Sequence, residues 1–210
     1  MGVKSFLLDQ LSKPSGWFAP ITARLLNKGN DRQNKDCIDA LGLTRDCHVL
    51  DVGFGGAVSF ARLLQDCPDG QVAGTEVSRE MLARAEGQWA REIAQGRLQI
   101  AQCGAERMDF EEGRFHRVMT VNTLYFWPDV GAGMNEVRRV LTAGGRFVAS
   151  VVAAENLKKM GFADMGFRTE TPAFYARELE AAGYLDVCCT ATGDRKGSVL
   201  VSGCKPAARS

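Results

Sequence analysis

Asp51, Gly53, Gly55 and Gly56 crowd into one short stretch, and an acid, Glu76, follows 23 residues after Gly53. The run Val49-Leu50-Asp51-Val52 reads as a buried strand that enters a glycine cluster, and an apolar helical pattern follows from Ala57 to Leu64. Glycines at a strand-to-helix turn let the main chain approach a ligand closely, without a Cβ in the way. A second short strand, Gln71 to Thr75, ends at Glu76. A carboxylate there can accept both hydroxyls of a ribose lying across the end of a parallel sheet. Loop and acid together point to a nucleoside-containing cofactor.

A dinucleotide fingerprint, G-x-G-x-x-G, would need a third glycine at position 58, where the chain has Val58. That glycine allows close helix–strand packing below a pyrophosphate. The register here is Asp51-x-Gly53-x-Gly55-Gly56. It resembles motif I of the class I S-adenosylmethionine-dependent methyltransferases, and the resemblance extends roughly from Cys47 to Lys205. It implies an α/β, Rossmann-like seven-stranded sheet of order 3-2-1-4-5-7-6 with strand 7 antiparallel. It also implies S-adenosylmethionine as cofactor and S-adenosylhomocysteine as product.

Carried over residue by residue, the resemblance puts Gly53 and Gly55 against the methionine end of the cofactor. Asp51 acts on that end directly or through water, or else accepts hydrogen bonds from loop amides. Glu76 holds the ribose; its alternative is a solvated strand-end acid. Val77 and Met81 cover one adenine face, although Met81 at helical spacing could equally be core, and Ser78 could cap its helix. After the third strand the family usually has Gly-Asp-Ala-Glu, the Asp accepting from the adenine amino group. This chain has Cys103-Gly104-Ala105-Glu106, so Gly104 stands where that acid is expected, while Ala105 still offers a backbone amide. A second departure is His116, where the family has Asp; a lone His at a strand entry reads as a surface residue rather than a base. Asn122 and Leu124, at the end of the fourth strand, face the cofactor.

Methyl transfer from a sulfonium is an in-line displacement that depends chiefly on alignment, and a base is needed only if the nucleophile must lose a proton. No triad or metal cluster is therefore required, and the sequence names no catalytic residue beyond Tyr125, a candidate for orienting the acceptor. Trp17, Tyr125 and Phe126 are candidates for the acceptor pocket, where the aromatic run Tyr125-Phe126-Trp127 lies, with Trp17, Phe18 and the loop 155–170, carrying Met160, Phe162, Met165 and Phe167, completing an apolar lid. Core packing is the alternative for the aromatic run 125–127. The expected acceptor is small and apolar or aromatic. Three other readings stay open: a non-catalytic S-adenosylmethionine-binding protein, a nicotinamide-dependent oxidoreductase and a macromolecular methyltransferase.

The elements that must position these residues alternate from Cys47 onward. Strands are expected near 47–52, 71–76, 97–102, 117–122 and 145–153, with helices near 57–66, 78–94 and 129–141 between them. A helix at 172–182 precedes two closely spaced strands, 184–191 and 197–204, whose spacing favours a hairpin. Ahead of the first strand, residues 1–45 read as a cap of three short helices, broken at Pro14-Ser15-Gly16 and again at Gly29-Asn30. The whole chain, 1–210, is expected to be one domain with its cofactor-binding core at 46–205.

At 210 residues and 45% apolar content, the chain can bury one sizeable core. A formal charge of +1 with both signs interspersed offers no face for nucleic acid or an anionic membrane. The longest apolar run, Phe147 to Ala154, is too short to span a bilayer. The N-terminus lacks a signal peptide's apolar region, and Phe6 defeats a myristoylation motif. Seven cysteines without a C-x-x-C pair read as buried reduced thiols, and a cytoplasmic location is expected.

Overall fold

A computed structural model describes residues 19–159, 163, 168–194 and 197–208, with the backbone alone for 19–29. The alternation of short apolar strands with helices folds into one seven-stranded sheet of order β3-β2-β1-β4-β5-β7-β6. The strands are β1 (His48–Val52), β2 (Gln71–Thr75), β3 (Leu98–Ala101), β4 (Phe115–Val121), β5 (Leu141–Val152), β6 (Leu185–Ala191) and β7 (Ser198–Cys204). β1 to β5 pair in parallel, and β7 runs antiparallel to both β5 and β6. Strand order reverses between β1 and β4, the crevice where open α/β sheets bind ligands.

Alternation along each strand feeds two cores, one on each face. Leu50, Val118, Phe147 and Ala149 point to one, covered by α5 (Val130–Val140) and α7 (Pro172–Ala181). Val49, Met119 and Val148 point to the other, covered by α1 (Ala19–Leu41) and α2 (Phe60–Asp66). Gly74 in β2 makes the second packing possible: a Cβ there would stand 2.5 Å from both the Phe54 and Phe60 rings. The close helix–strand approach that a dinucleotide site obtains from its third glycine is obtained here from the neighbouring strand.

Three expected boundaries move, each for a physical reason. The first crossover helix begins at Phe60 instead of 57, because Gly53, Gly55 and Ala57 all take positive φ and hold the loop out of helical geometry. The helix expected over 78–94 divides into α3 (Arg79–Gln88) and α4 (Ala90–Ala94). Trp89, at the division, leaves helical geometry and packs edge-on against Phe60 at 6.1 Å. The break expected at Gly29-Asn30 is absent, and α1 runs through both residues. Asn30 is tied instead by tertiary contact, its Oδ1 accepting from Asn122 Nδ2 at 3.0 Å. The first expected helix, around Phe6 to Leu11, lies outside the described residues. A short α6 (Ala154–Lys159) follows β5, and no helix of the described residues is long and apolar enough to cross a membrane.

At the opposite end of the sheet from the glycine loop, His116 Nδ1 accepts the backbone N–H of His48 at 2.9 Å, joining the starts of β4 and β1. Only neutral imidazole can accept there. Burial, with His48 beside it, holds the His116 pKa below its usual 6.5, while Asp46 opposes and Arg117 adds to the depression. The unfolded chain therefore takes up a proton that the folded chain resists. Stability from this contact is complete above the ordinary histidine value and is lost as pH falls through the lowered folded one. His116→Ala should cost about 0.5–1.5 kcal/mol near neutrality, the worth of one neutral hydrogen bond, and should flatten the decline in thermal stability between about pH 7 and about pH 5.

Candidate functional site

A cavity of about 490 Å³ opens over the C-terminal ends of β1, β2 and β4, within the range of small-molecule sites. Its floor is the loop that leaves β1. Gly53 sits at φ +75, and a Cβ there would come 2.6 Å from Thr123 Cγ2. Thr123 is fixed in turn, since its hydroxyl shares a short bond with Thr120 and accepts the Trp127 indole N–H at 3.2 Å. Gly53 is thus a glycine for two reasons, its left-handed backbone and the side chain beside it. Gly55, at φ +51, would point a Cβ into open space.

Glu76 is 6% exposed and does more than end a strand. Its Oε2 accepts the Gly55 N–H at 2.9 Å, and its Oε1 accepts the N–H groups of Val77 and Ser78 at 2.8 and 2.9 Å. The carboxylate therefore ties the end of β2 to the middle of the glycine loop. With about four acceptor directions on a carboxylate, three are taken, and the one left is on Oε2.

Asp51 is 3% exposed, and its Oδ2 accepts the Ser59 hydroxyl at 2.5 Å. Its partner is thus a side-chain hydroxyl, not the loop amides of the expected alternative, and Asp51 also lines the cavity. Burial pushes its pKa up to about 7; the Ser59 bond opposes the rise and Glu76 adds to it. Glu76 is likewise pushed up by burial and held back by its three backbone amides. Among the described residues neither acid has a basic partner in an ion pair. Two desolvated carboxylates without a countercharge suit a cationic ligand. A sulfonium with its neighbouring ammonium fits this donor set and the loop that Gly53 and Gly55 keep clear.

Val77, Met81, Cys103, Gly104, Ala105 and Glu106 form the next wall. Met81 lines the cavity while packing at 3% exposure. Ser78 caps α3, its hydroxyl accepting the Met81 N–H at 3.4 Å.

The end of β4 departs most from expectation. Asn122 takes φ +58, and its carboxamide pairs reciprocally with Gln33 of α1, at 2.9 and 3.2 Å. Gln33, fully buried, continues to Ser198 Oγ at 2.7 Å, which donates to Asp194 at 2.7 Å. Asn122 does line the cavity, but Leu124 does not; it is a fully buried core residue. Tyr125 also turns inward. Its hydroxyl accepts the Val152 backbone N–H and donates to Asn122 Oδ1 at 3.2 Å, so it does not face the cavity, and the proposed acceptor-orienting role loses its geometry. The 3₁₀ turn at Leu124–Phe126 explains the inversion, because it rotates successive side chains so that Phe126 reaches the cavity and Tyr125 the core. Trp127 and Pro128 extend the aromatic wall. Trp17, Phe18 and, within the expected lid, residues 160–162 and 164–167, which include Met160, Phe162, Met165 and Phe167, lie outside the described residues.

Three contributors carried no local signal in the sequence. Asn30 and Asn34 reach the cavity from α1, and nothing in a helix interior marks them as pocket residues. Thr123 is legible only as the neighbour that Gly53 must clear.

Residues 49–145 match the family described as a methyltransferase domain. The uncharacterized methyltransferase YdaC of Bacillus subtilis is 28% identical over 126 residues, 60% of this chain and 67% of that protein. Four further methyltransferases are matched over 50–62% of their lengths. Among solved structures, a methyltransferase of Haloferax volcanii in complex with the Trm112 methyltransferase activator superposes at TM-score 0.76 and 17% identity, over 90% of this chain and 96% of that one. The geranyl diphosphate C-methyltransferase of Streptomyces coelicolor, solved with Mg2+, geranyl diphosphate and S-adenosylhomocysteine, gives TM-score 0.71 at 14% identity, over 93% and 86%. Sheet order, glycine loop, strand-end acid and the match over residues 49–145 agree: the chain is similar to the S-adenosylmethionine-dependent methyltransferases and has a seven-stranded Rossmann-like sheet.

Proposed function

We propose that this chain transfers the methyl group of S-adenosylmethionine to a small, largely apolar or aromatic acceptor. The observation that carries this reading is the mixed lining of the cavity, in which Asp51, Glu76 and the glycine loop stand together with Phe126, Trp127 and Pro128 and with Asn30 and Asn34. In this reading Gly53 and Gly55 keep the main chain clear of the methionine moiety. Asp51 faces its ammonium, and Glu76 accepts a ribose hydroxyl through Oε2. Val77 and Met81 cover the adenine, while Asn122 and Thr123 border the transfer axis. When bound, the cofactor supplies an electrophilic methyl on a sulfonium sulfur. The aromatic wall excludes water and aligns the acceptor, from which most of the acceleration of such a displacement derives. No general base is assigned. A turnover screen of neutral hydroxylated, aromatic and prenylated acceptors, detecting S-adenosylhomocysteine, tests the reading. Cofactor binding without turnover across the panel would favour a non-catalytic binding protein.

Glu76→Ala should weaken S-adenosylmethionine binding by about 1.5–3 kcal/mol, the range for hydrogen bonds to a charged group, as read by calorimetry. It should also lower the melting temperature, because the amides of Gly55, Val77 and Ser78 lose their common acceptor.

Cofactor affinity should depend on pH through Asp51, whose pKa of about 7 lies in the working range. A cationic ligand favours the ionised carboxylate. Affinity is therefore full above that value and falls as pH drops through it, by up to about tenfold per pH unit, as binding has to expel a proton. Calorimetry in buffers of different ionisation enthalpy should detect the proton release, and Asp51→Asn should abolish it.

Tyr125→Phe should leave cofactor affinity and turnover nearly unchanged while costing about 1–3 kcal/mol of stability, because the buried Val152 N–H loses its acceptor. A large fall in turnover with intact stability would return the hydroxyl to the acceptor.

A further inference from the structure

The wall after β3 contains an acid whose position is explained by its neighbour's missing side chain. Gly104 needs no glycine for its backbone, since it is not among the residues with positive φ. A Cβ at Gly104 would meet only two side chains, Glu106 Oε2 at 3.0 Å and Val77 Cγ1 at 4.0 Å. The Glu106 carboxylate has thus folded back into the space that a side chain at 104 would use. Its Oε1 lies 3.4 Å from the Asp129 N–H, at the long limit of a hydrogen bond. That contact anchors the carboxylate loosely to the start of α5 and leaves Oε2 on the Gly104 side. Glu106, Gly104, Ala105 and Val77 all line the cavity.

We propose that Glu106 is the residue that selects adenine, its Oε2 accepting from the exocyclic amino group in the place vacated at position 104. The inference rests on the S-adenosylmethionine reading given above. A purine slid between Val77 and Ala105 presents its edge to this wall. An amino group is the only purine substituent at that position that donates to a carboxylate, whereas a carbonyl would oppose one acceptor with another. A charged acceptor in a half-enclosed wall gives a stronger bond than a neutral one. The pairing of Gly104 with Glu106 is then a swap of positions: the carboxylate comes from two residues further along, and glycine makes room for it. An acid at both positions would set a Cβ 3.0 Å from Glu106 Oε2 and bring two like charges together, which is costly.

Calorimetry on the full chain with S-adenosylhomocysteine and with its analogue carrying hydrogen in place of the 6-amino group tests the assignment. The natural ligand should bind between about tenfold and about a hundredfold tighter than the analogue. Glu106→Ala should weaken the natural ligand to the level of the analogue and leave the analogue nearly unaffected, and Glu106→Gln should retain part of the preference. Gly104→Asp introduced into Glu106→Ala should restore discrimination, whereas Gly104→Asp alone should lower the melting temperature. A wild-type preference below about twofold, or equal losses for both ligands in Glu106→Ala, would overturn the proposal. Failure of both ligands to bind the wild type would overturn the cofactor reading, and this proposal with it.

Discussion

The carboxylate of Glu76 is the fixed point of the site. It is buried, it receives three backbone N–H groups, and those groups come from two separate parts of the chain. The bond to Gly55 joins the loop after β1 to the end of β2, and the bonds to Val77 and Ser78 set the turn into α3. A charge held in this way costs desolvation, which the amides partly offset; its raised pKa registers the remainder. Asp51 stands in the same position, with one hydroxyl instead of three amides, and burial pushes its pKa up as well. The protein keeps two acids ionisable in a pocket that disfavours their charge, and a cationic ligand relieves that cost.

The other side of the pocket is set by a polar network. Asn122 occupies left-handed backbone space that a residue other than glycine enters at a cost. Its carboxamide is held by Gln33 and Asn30 from α1 and by the Tyr125 hydroxyl. Through Gln33 the contact continues to Ser198 and Asp194 at the β6–β7 hairpin. Buried amides in a network of this kind are satisfied together or not at all, so the position of α1 and the geometry of the strand end are coupled. Tyr125 belongs to this support. Its ring and hydroxyl serve the core, while Phe126 and Trp127, its neighbours in sequence, form the aromatic wall of the cavity.

Glycine appears in the site for three different reasons. Gly53 has both a backbone and a steric requirement, imposed by Thr123. Gly55 has only the backbone requirement, and the space beside it is open. Gly104 has no backbone requirement, and the atom nearest to a Cβ there is Glu106 Oε2, at 3.0 Å. A motif match treats these positions alike, and the physics distinguishes them.

The sequence by itself determined the sheet, its order through the family resemblance, the glycine loop and the acid at Glu76. Each of these follows from local signals: apolar runs of strand length, glycines at a turn, an acid at a fixed spacing. It also marked Gly104 as anomalous. The tertiary structure alone decided how many acceptor directions Glu76 keeps, which of three consecutive aromatics reaches the cavity, and which residues of α1 join the site. Those questions depend on side chains distant in sequence: Asn30 and Gln33 meet Asn122 across separations of 92 and 89 residues. Periodicity placed a break at Gly29-Asn30 because it weighs only neighbours. The fold carries the helix through, and Asn30 is tied to Asn122, just past the end of β4.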